Sequence, residues 1–138
     1  MNDDLPTYVL LIDRDDHERR YYAQHLRQRH FVVQEAANGR TAFDVFKSSP
    51  VDCVVLEIDL PDMSGFEILT KLVPAASSPE IPVIVLSHIM SESLFDLAVK
   101  NGAQFAMRKS MTSPDLLESN IQRAISAVPT ERKRASAA

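Results

Sequence analysis

Val54-Val55-Leu56-Glu57-Ile58-Asp59-Leu60-Pro61-Asp62-Met63-Ser64-Gly65 is the stretch whose reading decides the fold. An apolar run ends in a carboxylate, and a loop punctuated by Pro61 and Gly65 follows at once. Such a run reads as a strand covered on both faces. The acid then stands at the strand's carboxyl end, where open α/β sheets place their chemistry. That acid is a glutamate, and its extra methylene governs the functional reading.

Working outward, further β-rich apolar runs cover 8–12, 31–33 and 81–86, with a weaker one at 104–108; the central run extends over 51–56. Between them the apolar residues recur at helical spacing over 19–26, 41–47, 66–73 and 94–99. A last helix carries Leu116, Leu117, Asn120, Ile121, Ala124, Ile125 and Val128. Start signals agree. Asp15 with Glu18 resembles a capping box, and Ser113-Pro114-Asp115 is an N-cap, a helix-compatible proline and an acid for the dipole. Gly39, Gly65 and Gly102 all fall at turns. Alternation of strands and helices predicts βαβ units and a parallel sheet, hence an α/β fold of (βα)5 doubly wound type.

A chain of 138 residues makes one domain with a single core. Its 45% hydrophobic and 25% charged residues are ordinary for a globular protein. The net charge of −4 lacks the basic face of a nucleic-acid binder. The lone Cys53 excludes an internal disulfide and reads as a small buried hydrophobe. No segment has the length of a membrane span and Met1-Asn2-Asp3-Asp4 is no signal peptide, so the expected location is the cytoplasm. The domain is expected to occupy 1–128. Residues 129–138, with Arg132-Lys133-Arg134, have no apolar period and read as a disordered tail or linker stub.

Several motifs in one order carry a resemblance. Leu10-Leu11-Ile12-Asp13 ends the first strand, and Ala37-Asn38-Gly39-Arg40-Thr41-Ala42 turns into the second helix. Asp62-Met63-Ser64-Gly65-Phe66-Glu67 follows the central acid, and Ile81-Pro82-Val83-Ile84-Val85-Leu86-Ser87 ends in a hydroxyl. Gly102-Ala103 precedes Lys109. Over roughly 7–127 the chain resembles the receiver domains of bacterial two-component response regulators. The resemblance implies a flavodoxin-like three-layer sandwich with strand order 2-1-3-4-5. It also implies signal transduction by phosphoryl transfer from a histidine kinase to an aspartate, with magnesium. By resemblance Glu57 stands at the phosphoacceptor, Ser87 and Lys109 belong to the phosphate pocket, and Asp13, Arg14 and Asp15 correspond to the acidic cluster. Ser87 and Ala106 stand at the switch positions.

The departures matter as much. The Glu57 carboxylate reaches about 1.5 Å, one bond, further than an aspartate's, and in-line transfer tolerates little misplacement. Glu57 is therefore not expected to be phosphorylated; Asp59 is the lesser candidate. Arg14 stands at the second acid of the cluster and cannot ligate a metal. A unit charge about 4 Å from another is worth about 4 kcal/mol at an effective dielectric of ~20, so the reversed sign opposes a dication. Asp13, Glu57 and Asp59 are the ligands if magnesium binds at all, and Asp15 reads better as a helix N-cap. Arg14 or Lys109 could pair with Glu57 directly. Ala106 replaces the family's switch aromatic, and Ser110 replaces the proline of its cis peptide. His88 would block the pocket mouth or add a pH-sensitive contact, or else is a plain exposed loop residue. His17, His25 and His30 read as solvated and too scattered for a metal site.

These residues predict a non-enzymatic pseudo-receiver that works by protein–protein contact. Either Glu57 mimics a phosphorylated aspartate, or an Arg14–Glu57–Lys109 cluster stiffens the core; Ala106 and Arg14 weigh towards the second. The alternatives are a working phosphorelay receiver and the N-terminal regulatory half of a DNA-binding transcriptional regulator. An aspartate-nucleophile hydrolase is disfavoured because the nucleophile is missing. Expected partners are a histidine kinase or an output domain, with a homodimer face over 94–126. Neither nucleic acid nor membrane is expected to bind this chain alone.

Overall fold

The computed structural model describes residues 5–89, 91–131 and 133. Strands β1 (Thr7–Ile12), β2 (Phe31–Ala36), β3 (Cys53–Leu56), β4 (Val83–Ser87) and β5 (Phe105–Arg108) form one parallel sheet in the order β2-β1-β3-β4-β5. Helices α1 (Asp16–Gln28), α2 (Gly39–Ser48), α3 (Gly65–Leu72), α4 (Glu92–Lys100) and α5 (Pro114–Ala127) alternate with them. The (βα)5 architecture read from the sequence is the one observed.

The period-two alternation of strands builds the layers. Leu10, Ile12, Val54, Leu56, Val83 and Val85 face one side, where Ala42 of α2, Ile68 and Leu69 of α3 and Ala98 of α4 cover them. Val9, Leu11, Val55 and Ile84 face the other, against Tyr22 and Leu26 of α1 and Leu117, Ile121 and Ala124 of α5. Every residue of β3 and β4 is buried. That explains why these strands read as unbroken apolar runs.

Boundaries differ from the sequence reading for local reasons. Pro82 has no N–H for the ladder, and β4 begins after it. Asp52 is counted out of β3, although its N–H reaches Tyr8 O at 2.8 Å. α1 starts earlier than its apolar residues suggest because its first turn is polar and capped by Asp15. The capping box is only half made: Asp15 accepts from the N–H groups of His17 and Glu18, but its own N–H donates to Asp13 Oδ1 and Glu18 turns elsewhere.

The tail requires a correction. Thr130 is buried, and its hydroxyl donates to Asp52 Oδ1 at 2.9 Å; Asp52 Oδ2 accepts the Tyr8 N–H at 2.9 Å. Lys133 Nζ lies 3.0 Å from Thr7 Oγ1 and 3.5 Å from Leu5 O. The chain after α5 is thus packed under the sheet at least to Thr130, because a fully buried carboxylate needs donors. Arg132, Arg134 and the residues after them lie outside the described residues. Among the described residues no helix is long and apolar enough to cross a membrane, and no peptide bond is cis.

Candidate functional site

The carboxyl ends of β1, β3, β4 and β5 open into one cleft of about 630 Å³. Parallel strands all deliver their last residues to the same rim, which is why residues far apart in sequence meet there. Asp13 follows β1, Glu57 follows β3, Ser87 ends β4 and Lys109 follows β5. Gly65 makes room: a Cβ on it would lie 2.5 Å from Glu57 O, so the start of α3 approaches the strand end only with glycine there.

Glu57 is 1% exposed, and among the described residues its carboxylate is met by backbone N–H, hydroxyl and ammonium donors and by a ring nitrogen of His88. Oε2 accepts the Ile58 N–H at 2.6 Å, the Asp59 N–H at 3.1 Å and a short bond from the Ser87 hydroxyl. Oε1 lies 3.0 Å from Lys109 Nζ and 3.1 Å from His88 Nδ1. Ser87 Oγ accepts the Ile89 N–H in turn, tying the β4–α4 loop to the same carboxylate. Burial pushes the Glu57 carboxyl up. The bonds from Ser87, Lys109 and the Asp59 N–H outweigh burial and hold it below its ordinary value.

Lys109 is the hub. Its ammonium is 2.7 Å from Asp13 Oδ2, 3.0 Å from Glu57 Oε1 and 3.0 Å from Glu18 Oε1. Burial works against this charge, but the bonds to Asp13 and Glu57 prevail and keep the amine above its ordinary value. At Asp13 the balance is reversed. Burial raises its carboxyl more than Lys109 and the Asp15 N–H lower it, with the Glu57 charge adding to the rise.

Asp13, Glu57, Ser87, His88 and Lys109 come together as one connected set. Three other positions fall outside it. Arg14 does not pair with Glu57; it lies in the loop after β1 and reaches Asp59 Oδ1 at 3.3 Å in a half-exposed ion pair. An Arg14–Glu57–Lys109 cluster is therefore replaced by Asp13–Lys109–Glu57 with Glu18. Asp15 is spent as the α1 N-cap. Ala106 pairs with Val85 within the sheet and offers no aromatic ring. The sequence reading missed Glu18, whose signal was available: it lies one turn into α1, on the helix that follows Asp13.

The cleft is lined by Asp13, Asp15, Glu18, Glu57 and Asp59 against Arg14, His88 and Lys109. Acids are in excess, as a cation site requires. Yet the donors suit a hard dication poorly. The buried ammonium already bridges Asp13 and Glu57, and Glu57 Oε2 is filled by three donors.

Comparison with known proteins agrees with the architecture. The Transcriptional regulatory protein SrrA of Staphylococcus aureus (strain NCTC 8325 / PS 47) is 30% identical over 79 residues, which are 57% of this chain and 32% of that protein. The matched stretch thus spans about a third of the curated relative. A CheY-like response regulator receiver domain protein from Methanospirillum hungatei JF-1 superposes with a TM-score of 0.78 at 21% identity, covering 89% of this chain and 96% of that one. A Burkholderia pseudomallei response regulator, solved with a phosphorylated aspartic acid, a calcium ion and citrate, gives 0.76 at 22% identity over 88% of this chain and 70% of that one. At such identities these two structures speak for the fold alone. Residues 9–121 match the response regulator receiver domain family, and with the sheet order and strand-end cleft described above the chain belongs to that family.

Proposed function

We propose that this receiver domain acts in signal transduction as a pseudo-receiver. It works through protein–protein contact rather than phosphorylation, without enzymatic activity, in the cytoplasm. The observation that carries this reading is the Glu57 carboxylate, which already holds both Ser87 and Lys109. A phosphoryl group needs those same donors to neutralise its oxygens. Here the side chain is long enough to take them itself, and magnesium is left with a ligand set that an ammonium has occupied.

Of the two versions of that reading, the mimic gains support. Arg14 pairs with Asp59 and does not compete for Glu57, and Ser87 donates to the Glu57 carboxylate as it would to a phosphoryl oxygen while accepting the Ile89 N–H of the β4–α4 loop. Ala106 remains an objection, since no ring repacks behind Ser87. The state is accordingly fixed rather than switched. The working unit is the receiver domain read over 1–128 together with the segment that follows α5 as far as Thr130, which is tied to Asp52. The partner surface is the 94–126 face, where Val99, Met111 and Leu116 are exposed; it would serve a second copy, a histidine kinase or an output domain.

The test is incubation with acetyl phosphate and magnesium followed by intact mass. The expected result is an unmodified chain. A stoichiometric phosphorylated species on Glu57 or Asp59 would refute the proposal. The relationship to a transcriptional regulatory protein supports a second reading, in which the domain is the regulatory half of a DNA-binding protein. Salt-dependent binding of duplex DNA by the present chain would then still be absent.

A further inference from the structure

His25 lies on α1, yet its ring meets two carboxylates of α5. Nε2 is 3.0 Å from Glu118 Oε1 and 3.4 Å from Asp115 Oδ1. Asp115 and Glu118 stand three apart on one helix and so share a face. One ligand atom from each of the three residues lies within 4.8 Å of the others. From this arrangement we infer that the α1–α5 junction is a binding site for a transition dication of the zinc class, with His25, Asp115 and Glu118 as protein ligands and water completing the shell.

The distances fit that ion. Bonds of about 2.0–2.2 Å at tetrahedral angles separate ligand atoms by about 3.3–3.5 Å. The two His25 separations, 3.0 and 3.4 Å, lie near that edge length, and the third edge, between the two carboxylates, is no longer than 4.8 Å. The donor types fit as well. One imidazole nitrogen with two carboxylate oxygens suits zinc, whereas magnesium and calcium take six or more oxygens. His25 and Glu118 are half-buried and Asp115 is exposed, which leaves an entry path and room for water. None of the three lines the Glu57 cleft, so the site is independent of the reading of Glu57.

Arg29 also approaches both carboxylates. Its guanidinium is 3.4 Å from Asp115 Oδ1 and 3.6 Å from Glu118 Oε1. The side chain is more than half exposed and can move into solvent without uncovering the core. It is therefore a competitor for the two carboxylates, and this yields a prediction that a plain ion-pair network does not make: removing Arg29 tightens metal binding.

The experiment is zinc titration of the full chain by calorimetry in a chelator-free buffer, with thermal midpoints measured alongside. The expected result is one saturable site. His25→Gln and Glu118→Gln should each weaken it about tenfold or more, since even groups that only support a metal ligand cost about 10–100-fold. Arg29→Gln should strengthen it, and zinc should raise the midpoint of the unaltered chain but not of His25→Gln. Circular dichroism checks that each variant is folded, and if His25→Gln is not, Glu118→Gln decides. Absence of saturable binding, or binding that the ligand variants leave unchanged, overturns the inference.

Discussion

Lys109 carries one positive charge between Asp13, Glu18 and Glu57, and its side chain is 4% exposed. Removing a partner from a buried ion pair strands the other charges and costs about 3–5 kcal/mol. Lys109→Met should lower stability at pH 7 by about that amount, read from urea midpoints. The pH dependence follows from the shifts. Glu57 is depressed, so its contribution is present above the free carboxyl value of about 4.3 and is lost as pH falls through its lower folded value. Lys109 is raised, so its contribution is complete below about 10.4 and is lost as pH rises through its folded value. Asp13 is raised and acts in the opposite sense to Glu57: what it adds is present in acid and lost as pH rises through its folded value. Without Lys109 both carboxyls should titrate higher, so the deficit of Lys109→Met narrows as the pH is lowered towards 5. At this scale the sequence was legible where a residue's place follows from a strand end. Glu57, Ser87 and Lys109 are such cases. It was not legible where two long side chains choose among partners, as when Arg14 takes Asp59 and Glu18 takes Lys109.

The β3–α3 connection shows how an element holds the site. Gly65 opens α3, and its N–H donates to Ile58 O at 2.7 Å. Asp62 reaches over to accept the N–H groups of Gly39 and Arg40, so the same loop caps α2. A methyl group at position 65 would collide with the backbone of Glu57 and Ile58, which cannot retreat as a side-chain tip can. Gly65→Ala should therefore cost about 1–3 kcal/mol by overpacking, and it should also shift the Glu57 and Ser87 amide resonances in an NMR spectrum. Helix and strand existence was plain in the sequence because apolar runs with period two and helical apolar stripes leave little choice. Element ends were less plain. Polar first turns such as Asp16 to Glu18 carry no apolar signal, and Thr7 or Ala36 join strands only through their neighbours' ladders.

For the whole molecule, the base of the sheet is the part that composition misjudged. A polar, charged segment after α5 looks unable to bury anything, yet a single hydroxyl finds a buried carboxylate 78 residues earlier in the chain. Hydrogen bonds to charged groups contribute about 1.5–3 kcal/mol, and Thr130→Val should lower the unfolding free energy by about that amount while leaving the Glu57 cleft unchanged. Sequence patterning has no means of foreseeing this contact, since Asp52 is the one polar residue inside the central apolar run and Thr130 belongs to no run at all. The same packing brings Lys133 within 3.5 Å of Leu5, so the beginning and the end of the described fold are neighbours. Backbones whose ends nearly touch can be sewn into a ring and cut open elsewhere. A circular permutant spliced by a short glycine–serine bridge and reopened in the surface loop between α3 and β4 should fold to the native circular-dichroism spectrum.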